Sequence, residues 1–155
     1  MSRLATLETI VVAAWLGAAI IVAAAVAPAA FRVLPSRTLA GALVGEVLPV
    51  VFISGIVVGA VAALLEMRAG NGALQIKVAG PFVLMIVACI VAQFIIGPRI
   101  EAVRATIGGA VDALDAADPR RVQFGRLHGF SVLWMGVAML GAAWSLLTKV
   151  ISKNS

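Results

Sequence analysis

Five polar side chains interrupt or flank the apolar stretches of this sequence, and their chemistry could bind a small ligand. They are Glu46, Gln93, Arg99, Arg126 and His128. Carboxylate and imidazole groups can carry a proton or coordinate a metal ion, and imidazole is also a ligand of haem iron. Ionisable residues in or beside membrane-spanning segments mark functional sites, because a charge there is costly. We therefore predict a ligand-binding site at these five residues, with His128 as the candidate metal ligand.

Each of these residues also has a structural explanation. His128 could bond a backbone carbonyl or a lipid phosphate, and one histidine without a second histidine or a nearby cysteine makes a poor metal site. Glu46 could form an ion pair with Arg37, Arg99 or Arg126, which would offset the cost of its charge. The sequence contains no nucleophile–base pair, glycine-rich phosphate loop or CxxC motif. We assign no catalytic residue, and an enzyme is the third hypothesis, which depends on a cofactor.

Four stretches without a charged residue must position these side chains. Each is long enough to cross a hydrocarbon core, which needs about 20 apolar residues in a helix, and none shows the period-2 alternation of a barrel strand. With 63% apolar residues and a mean hydropathy of +1.12, the chain has too little polar surface for a soluble domain. We predict an all-α, polytopic membrane protein with one four-helix transmembrane domain over residues 1–155. The uncharged stretches are residues 9–31, 47–65, 78–98 and 129–148, and the predicted spans that contain them are about 9–31, 41–65, 78–98 and 128–148.

Four antiparallel spans would bring the five candidate residues to the same face of the membrane. That face carries seven arginines, against five basic residues on the face that holds both termini. Because cytoplasmic loops are enriched in Lys and Arg, we expect the site to face the cytoplasm. Both termini would then lie on the non-cytoplasmic side of a bacterial inner (cytoplasmic) membrane. We interpret Glu8 and Glu66, at the opposite face, as ordinary helix-end charges.

The segment of about residues 99–127, between the third and fourth spans, is predicted to form a helical hairpin outside the membrane. Apolar residues recur at spacings of three and four from Ile100 to Leu114, which predicts that the third helix continues to about Leu114. Asp118 followed by Pro119 is typical of an N-cap and a first helical position, so the fourth helix should begin there.

Glycines four residues apart predict a helix-packing face on the second span. Gly41, Gly45, Gly55 and Gly59 form two GxxxG pairs on one side of that helix. Small residues let membrane helices approach closely, in the absence of a hydrophobic drive between them. The contact could lie within the chain or join two copies in a homodimer, and the sequence leaves both open.

Several motifs together resemble the transmembrane-protein-205-like family of four-helix membrane proteins. They are residues 26–31 (Val-Ala-Pro-Ala-Ala-Phe), the spacing of Gly41, Gly45 and Pro49, residues 97–100 (Gly-Pro-Arg-Ile) and residues 124–131 (Phe-Gly-Arg-Leu-His-Gly-Phe-Ser). The resemblance extends from about Leu7 to Leu147, although Arg99 begins the stretch where the family has an asparagine. It implies a bundle without an established activity, similar in layout to copper-resistance-type membrane proteins and to haem-associated protoporphyrinogen oxidases. These similarities imply a bundle able to hold haem, copper or another small ligand near its polar face, and here the analogy rests on His128 alone.

Two functional hypotheses follow from the sequence. The leading one is an integral membrane protein that binds or passes a haem, a metal ion or a proton at the five candidate residues. The alternative is an accessory or structural subunit of a larger membrane complex, which packs through its glycine-rich helix faces. The expected partner is the lipid bilayer. Basic residues at helix ends reach lipid phosphates and account for the net charge of +5, so we expect no nucleic-acid partner.

Overall fold

The computed structural model describes residues 3–69 and 76–154, and four long helices contain most of them. The helices are α1 (Arg3–Val33), α2 (Arg37–Ala69), α3 (residues 76–107) and α4 (Pro119–Asn154). Over these described ranges there is no β-strand. The predicted all-α class and the four spans are confirmed, because each helix is long and apolar enough to cross a membrane.

The helices are longer than the hydrocarbon core of a bilayer requires. At 1.5 Å per residue, the 36 residues of α4 extend for about 54 Å, whereas the core is about 30 Å thick. α4 therefore continues beyond the membrane, and its first turns stand beside the end of α3 as a hairpin.

The four helices form an up-and-down bundle in which each helix packs against the one before and the one after it. α1 also packs against α4, which closes the ring. The side chains of Trp15, Phe52, Phe82 and Met85 are buried at its centre. The indole N–H of Trp15 donates to the carbonyl of Val51 at 3.0 Å, and this bond ties α1 to α2 inside the core.

Two of the helices contain a wide, π-helical turn shortly before a proline. These turns are Val22–Val26 in α1, ahead of Pro28, and Val91–Ile96 in α3, ahead of Pro98. A proline inside a helix has no N–H to donate, and its ring clashes with the carbonyl four residues earlier. In α3 the residue before Pro98 donates its N–H to the carbonyl of Ala92, five residues back. The wider turn makes room for the proline ring, so the helix continues through it.

The connection between α3 and α4 forms the predicted hairpin, but α3 ends earlier than predicted. It ends at Ile107 and not at about Leu114, because Gly108 adopts a left-handed φ of 66°. The N–H of Gly108 bonds to the carbonyl of Arg104 at 3.2 Å and closes the last turn. The apolar spacing runs on past this glycine, but the chain forms a short 3-10 turn over Val111–Ala113 instead of a longer helix.

The start of α4 is as predicted. Asp118 precedes Pro119, and its Oδ1 accepts the backbone N–H of Arg120 at 2.8 Å. The Arg120 guanidinium donates to Oδ2 of the same carboxylate, also at 2.8 Å. The hydrogen bonds from the guanidinium and from the backbone lower the pKa of Asp118 to about 2. The cap is therefore charged except in strongly acidic solution.

Candidate functional site

A cavity of about 780 Å³ lies at the hairpin end of the bundle. Its wall is formed by the last turns of α1, the first half of α2, the end of α3 and the beginning of α4, together with part of the α3–α4 connection. Cavities of about 300–1,000 Å³ are typical of sites for small organic ligands. The cavity is therefore large enough for one such molecule.

The wall of the cavity changes from apolar to polar along its length. Val44, Leu48, Phe52 and Ala92 line its inner part, where Phe52 and Ala92 also belong to the buried core. Ser131 is nearly buried, with 4% of its surface exposed. The charged residues in the wall are Arg37, Glu46, Glu101, Arg104, Asp112 and Arg121. A ligand in this cavity would meet apolar side chains at one end and charged groups at the other.

The structure brings three of the five sequence-predicted site residues into the cavity wall. Glu46, Gln93 and His128 line it, whereas Arg99 and Arg126 lie outside it with exposed side chains. The predicted ion pair of Glu46 with an arginine is not formed in the part of the chain that the structure describes. The predicted set of five thus divides into a group of three at the cavity and two arginines on the outer surface.

Arg104 is a residue of the cavity wall that the sequence reasoning missed. Its Nη1 donates to the Glu101 carboxylate at 3.0 Å, one helical turn earlier. Its guanidinium carbon lies 5.7 Å from the centroid of the Phe124 ring on α4, which is a cation–π distance. On its other side the guanidinium lies against α2 at Gly41 and Gly45. Contacts with both neighbouring helices therefore fix its position. The sequence did not predict this, because contacts between helices that are distant in the chain leave no local pattern.

The imidazole of His128 is held by an aromatic contact. It stacks on the Phe124 ring with the ring centroids 6.4 Å apart and the planes 3° from parallel. The two residues are four positions apart, and such positions are neighbours on one face of α4. Phe124 lies between Arg104 and His128, so the three side chains form a continuous part of the cavity wall.

Gln93 reaches the cavity from the π-helical turn of α3. It lies within Val91–Ile96, which widens the helix ahead of Pro98. Single π turns occur often at functional sites, because the extra residue rotates the side chains that follow it. The side chain of Gln93 is half-buried and can donate or accept a hydrogen bond.

The two glycine pairs of α2 have different surroundings. A Cβ atom at Gly55 would lie 2.7 Å from Sγ of Cys89 and 2.8 Å from the Trp15 ring, and one at Gly59 would lie 2.7 Å from the Ile86 side chain. This pair sits where α1 and α3 of the same chain approach closely. A Cβ at Gly45 would instead lie 3.6 Å from Nη1 of Arg104, and the nearest atom at Gly41 is also on that guanidinium, at 4.0 Å. Gly41 and Gly45 make room for a side chain.

The opposite end of the bundle holds a second charged cluster, which corrects the interpretation of Glu8 and Glu66. These two carboxylates are not ordinary helix-end charges, because the ammonium of Lys149 donates to both of them, at 3.1 Å to Glu66. Glu8 is only 1% exposed. The cluster joins the start of α1 to the ends of α2 and α4. The up-and-down connectivity places these three helix ends together. This connectivity, which was predicted from the sequence, could have revealed the charged cluster.

The fold and the cavity define a class of protein: a four-helix integral membrane protein with a ligand-sized cavity between the helices at one end of the bundle. Residues 10–108, more than half of the chain, match the family described as "Domain of unknown function (DUF4149)", and the chain belongs to that family. No curated protein and no solved structure gives a significant match to the chain.

Proposed function

We propose that this protein binds a small, largely apolar organic ligand in the cavity between α2, α3 and α4. The proposal rests on one observation: the wall of this cavity of about 780 Å³ is apolar at its inner end and charged at its outer end. Most of a ligand's surface would contact Leu48, Phe52 and their neighbours, and Gln93 and His128 would orient its polar part. A few placed polar groups in a mostly apolar pocket are typical of ligand sites.

Of the two cofactors that the family resemblance implies, copper does not fit the residues of this site. Within residues 3–69 and 76–154 no three His, Cys, Asp or Glu side chains are grouped to hold a metal ion. Cys89 is fully buried and packs against Gly55, not at the cavity. Haem fits better, since it is a flat apolar ring with carboxylates at one edge. His128 is the residue that would ligate its iron. Arg104, at the charged end of the cavity, would pair with a haem carboxylate.

The same end of the bundle carries seven arginines, and the positive-inside bias favours a cytoplasmic location for it. We therefore propose that the cavity is reached from the cytoplasmic leaflet of the membrane, with both termini on the other side. The resemblance to the transmembrane-protein-205-like family supports the same four-helix arrangement and adds no further site residue.

The test is the identification of small molecules that remain with the protein when it is purified gently from its native membrane. An absorption spectrum detects haem, and mass spectrometry of an organic extract detects lipids and other organic ligands. The variant Ala42→Phe places a ring in the cavity wall, whereas Ala60→Phe makes the same change on a part of α2 that is exposed and outside the cavity. We expect a bound molecule with the wild type and with Ala60→Phe, and its loss with Ala42→Phe.

Two results would count against this proposal. A molecule retained equally by Ala42→Phe would lie elsewhere on the protein. A sample without any small molecule, but with a second protein in fixed ratio, would favour the accessory-subunit hypothesis. A haem absorption band that disappears in His128→Ala would identify haem as the ligand.

A further inference from the structure

We infer that the ligand of this cavity carries a phosphate head group and that Arg104 binds it. This inference rests on the proposed function, because it names the chemical class of the molecule in the same cavity. The ligand would be an amphiphile, with its phosphate at the charged end and its hydrocarbon part against the apolar inner wall.

The guanidinium of Arg104 has hydrogen-bond donors to spare. A guanidinium has five N–H donors, and within the described residues Arg104 uses one of them, in the bond from Nη1 to Glu101. Phosphate offers several acceptor oxygens in a geometry that a guanidinium matches with paired bonds. A side chain with unused donors in a cavity wall is therefore suited to a phosphate.

The position of this guanidinium is set before any ligand arrives. Glu101 holds one edge, the Phe124 ring contacts the guanidinium, and Gly45 lets it lie close to the α2 backbone. A residue whose conformation is already fixed loses little entropy on binding.

The carboxylates in the same wall are more exposed than Arg104. The Glu101 side chain is 62% exposed, whereas that of Arg104 is 32% exposed. Glu46 and Asp112 are also exposed, and Arg121 is half-buried with Nη1 bonded to the carbonyl of Leu114 at 2.7 Å. The less exposed charges of the cavity are therefore positive. This favours an anionic head group over a cationic one.

The test is native mass spectrometry of the full chain in a neutral detergent with pairs of probes that differ in the phosphate. The pairs are phosphatidylglycerol with diacylglycerol, and dodecyl phosphate with dodecanol. We expect each phosphate probe to bind at least about tenfold more tightly than its neutral counterpart, as is typical for hydrogen bonds to a charged group. If phosphatidylglycerol binds more tightly than dodecyl phosphate, the ligand is a membrane phospholipid. If dodecyl phosphate binds more tightly than phosphatidylglycerol, the ligand is a single-chain phosphate.

Variants assign the preference to Arg104. Arg104→Gln should remove it, and Arg104→Lys should reduce it by a smaller factor, because an ammonium keeps the charge but not the planar fork. If Arg104→Gln does not fold, Arg104→Lys still tests whether the preference depends on the guanidinium. Arg32→Gln is the control, since Arg32 is exposed at the same end of the bundle and lies outside the cavity; it should keep the full preference.

The outcomes separate this inference from the proposed function. Equal binding of phosphate and neutral probes, with both lost in Ala42→Phe, would overturn the phosphate head group and leave the proposed function standing. Undiminished binding of every probe to Ala42→Phe would overturn the proposed function itself. Dodecanoate serves as a further probe, because it has a carboxylate in place of the phosphate. Tighter binding of dodecanoate than of dodecyl phosphate, a phosphate preference that persists in Arg104→Gln, or haem as the native ligand would each overturn the inference.

Discussion

The guanidinium of Arg104 on α3 lies against the α2 backbone at Gly45, where a Cβ atom would stand 3.6 Å from Nη1. That separation is an ordinary van der Waals contact, so a methyl group fits and a larger side chain does not. The first glycine pair of α2 therefore accommodates an arginine at the cavity, and the second pair accommodates the core side chains Trp15, Ile86 and Cys89.

Gly45→Ala and Gly45→Leu should behave differently in ligand binding. The alanine methyl fits beside Arg104, so binding should be unchanged. The leucine side chain would displace the guanidinium from its position, and loss of a charge-assisted hydrogen bond corresponds to roughly 10–100-fold weaker binding. Native mass spectrometry with the ligand identified from the native membrane measures both. Equal affinities of the two variants would show that the position of Arg104 does not matter for binding.

Gly55→Ala should destabilise the fold. A Cβ at this position would lie 2.7 Å from Sγ of Cys89 and 2.8 Å from the Trp15 ring, which is closer than real Cβ contacts allow. Overpacking of this kind costs about 1–3 kcal/mol. The control is Gly17→Ala on α1. A Cβ at Gly17 would have no atom of another helix within 4 Å, so the change should be neutral or stabilising. Unfolding in mixed detergent–SDS micelles measures the difference, and equal stability of the two variants would contradict the packing at Gly55.

The sequence was sufficient to predict the four spans and the start of α4, because both depend on local properties. Hydropathy and length define a membrane helix, and Asp118 caps the helix that begins one residue later. Contacts between helices are not local. A Cβ at Gly141 would lie 2.8 Å from the carbonyl of Pro81, a very close approach of two helix backbones. No GxxxG pattern marked it, because the partner of a small residue depends on how the helices are rotated.

The same reason explains the division of the predicted site. Connectivity placed five residues at one end of the bundle, but the rotation of each helix decides which of them reach the cavity. Arg99→Gln and Arg126→Gln should leave ligand binding unchanged, because both side chains lie outside the cavity. Gln93→Leu should weaken it by roughly two- to tenfold, the range for one neutral hydrogen bond. A larger effect from either arginine than from Gln93 would favour the site predicted from the sequence.

The carboxyl group of Asp118 should titrate near pH 2. Hydrogen bonds from Arg120 favour its charged form in the folded hairpin and lower its pKa from the usual 3.8 to about 2. Because the folded-state pKa is the lower one, this carboxylate stabilises the hairpin above about pH 3.8, and the stabilisation is lost as the pH falls through 2. NMR titration of the labelled carboxyl measures the pKa. Arg120→Gln should raise it towards 3.8, and an unshifted wild-type value would contradict the observed ion pair.

Lys149→Met should be among the most destabilising substitutions in the bundle. The Lys149 ammonium bridges Glu8 and Glu66, and its removal leaves two like charges close together, with Glu8 buried. Breaking a buried ion pair by removing one partner costs about 3–5 kcal/mol. Arg68→Met is the control, because Arg68 is an exposed cation at the same end of the bundle; it should change stability little. Unfolding in mixed detergent–SDS micelles measures both.

A double variant distinguishes the loss of a countercharge from the loss of packing. Glu8→Gln removes the buried carboxylate, so the combination with Lys149→Met leaves a neutral amide where the single variant leaves an unpaired charge. The double variant should therefore be more stable than Lys149→Met alone, since the effects of residues in direct contact are not additive. If Lys149 acted only through the packing of its methylene chain, Glu8→Gln would not rescue the lysine variant. Rescue would show that the ammonium stabilises the meeting point of α1, α2 and α4 by compensating the Glu8 charge.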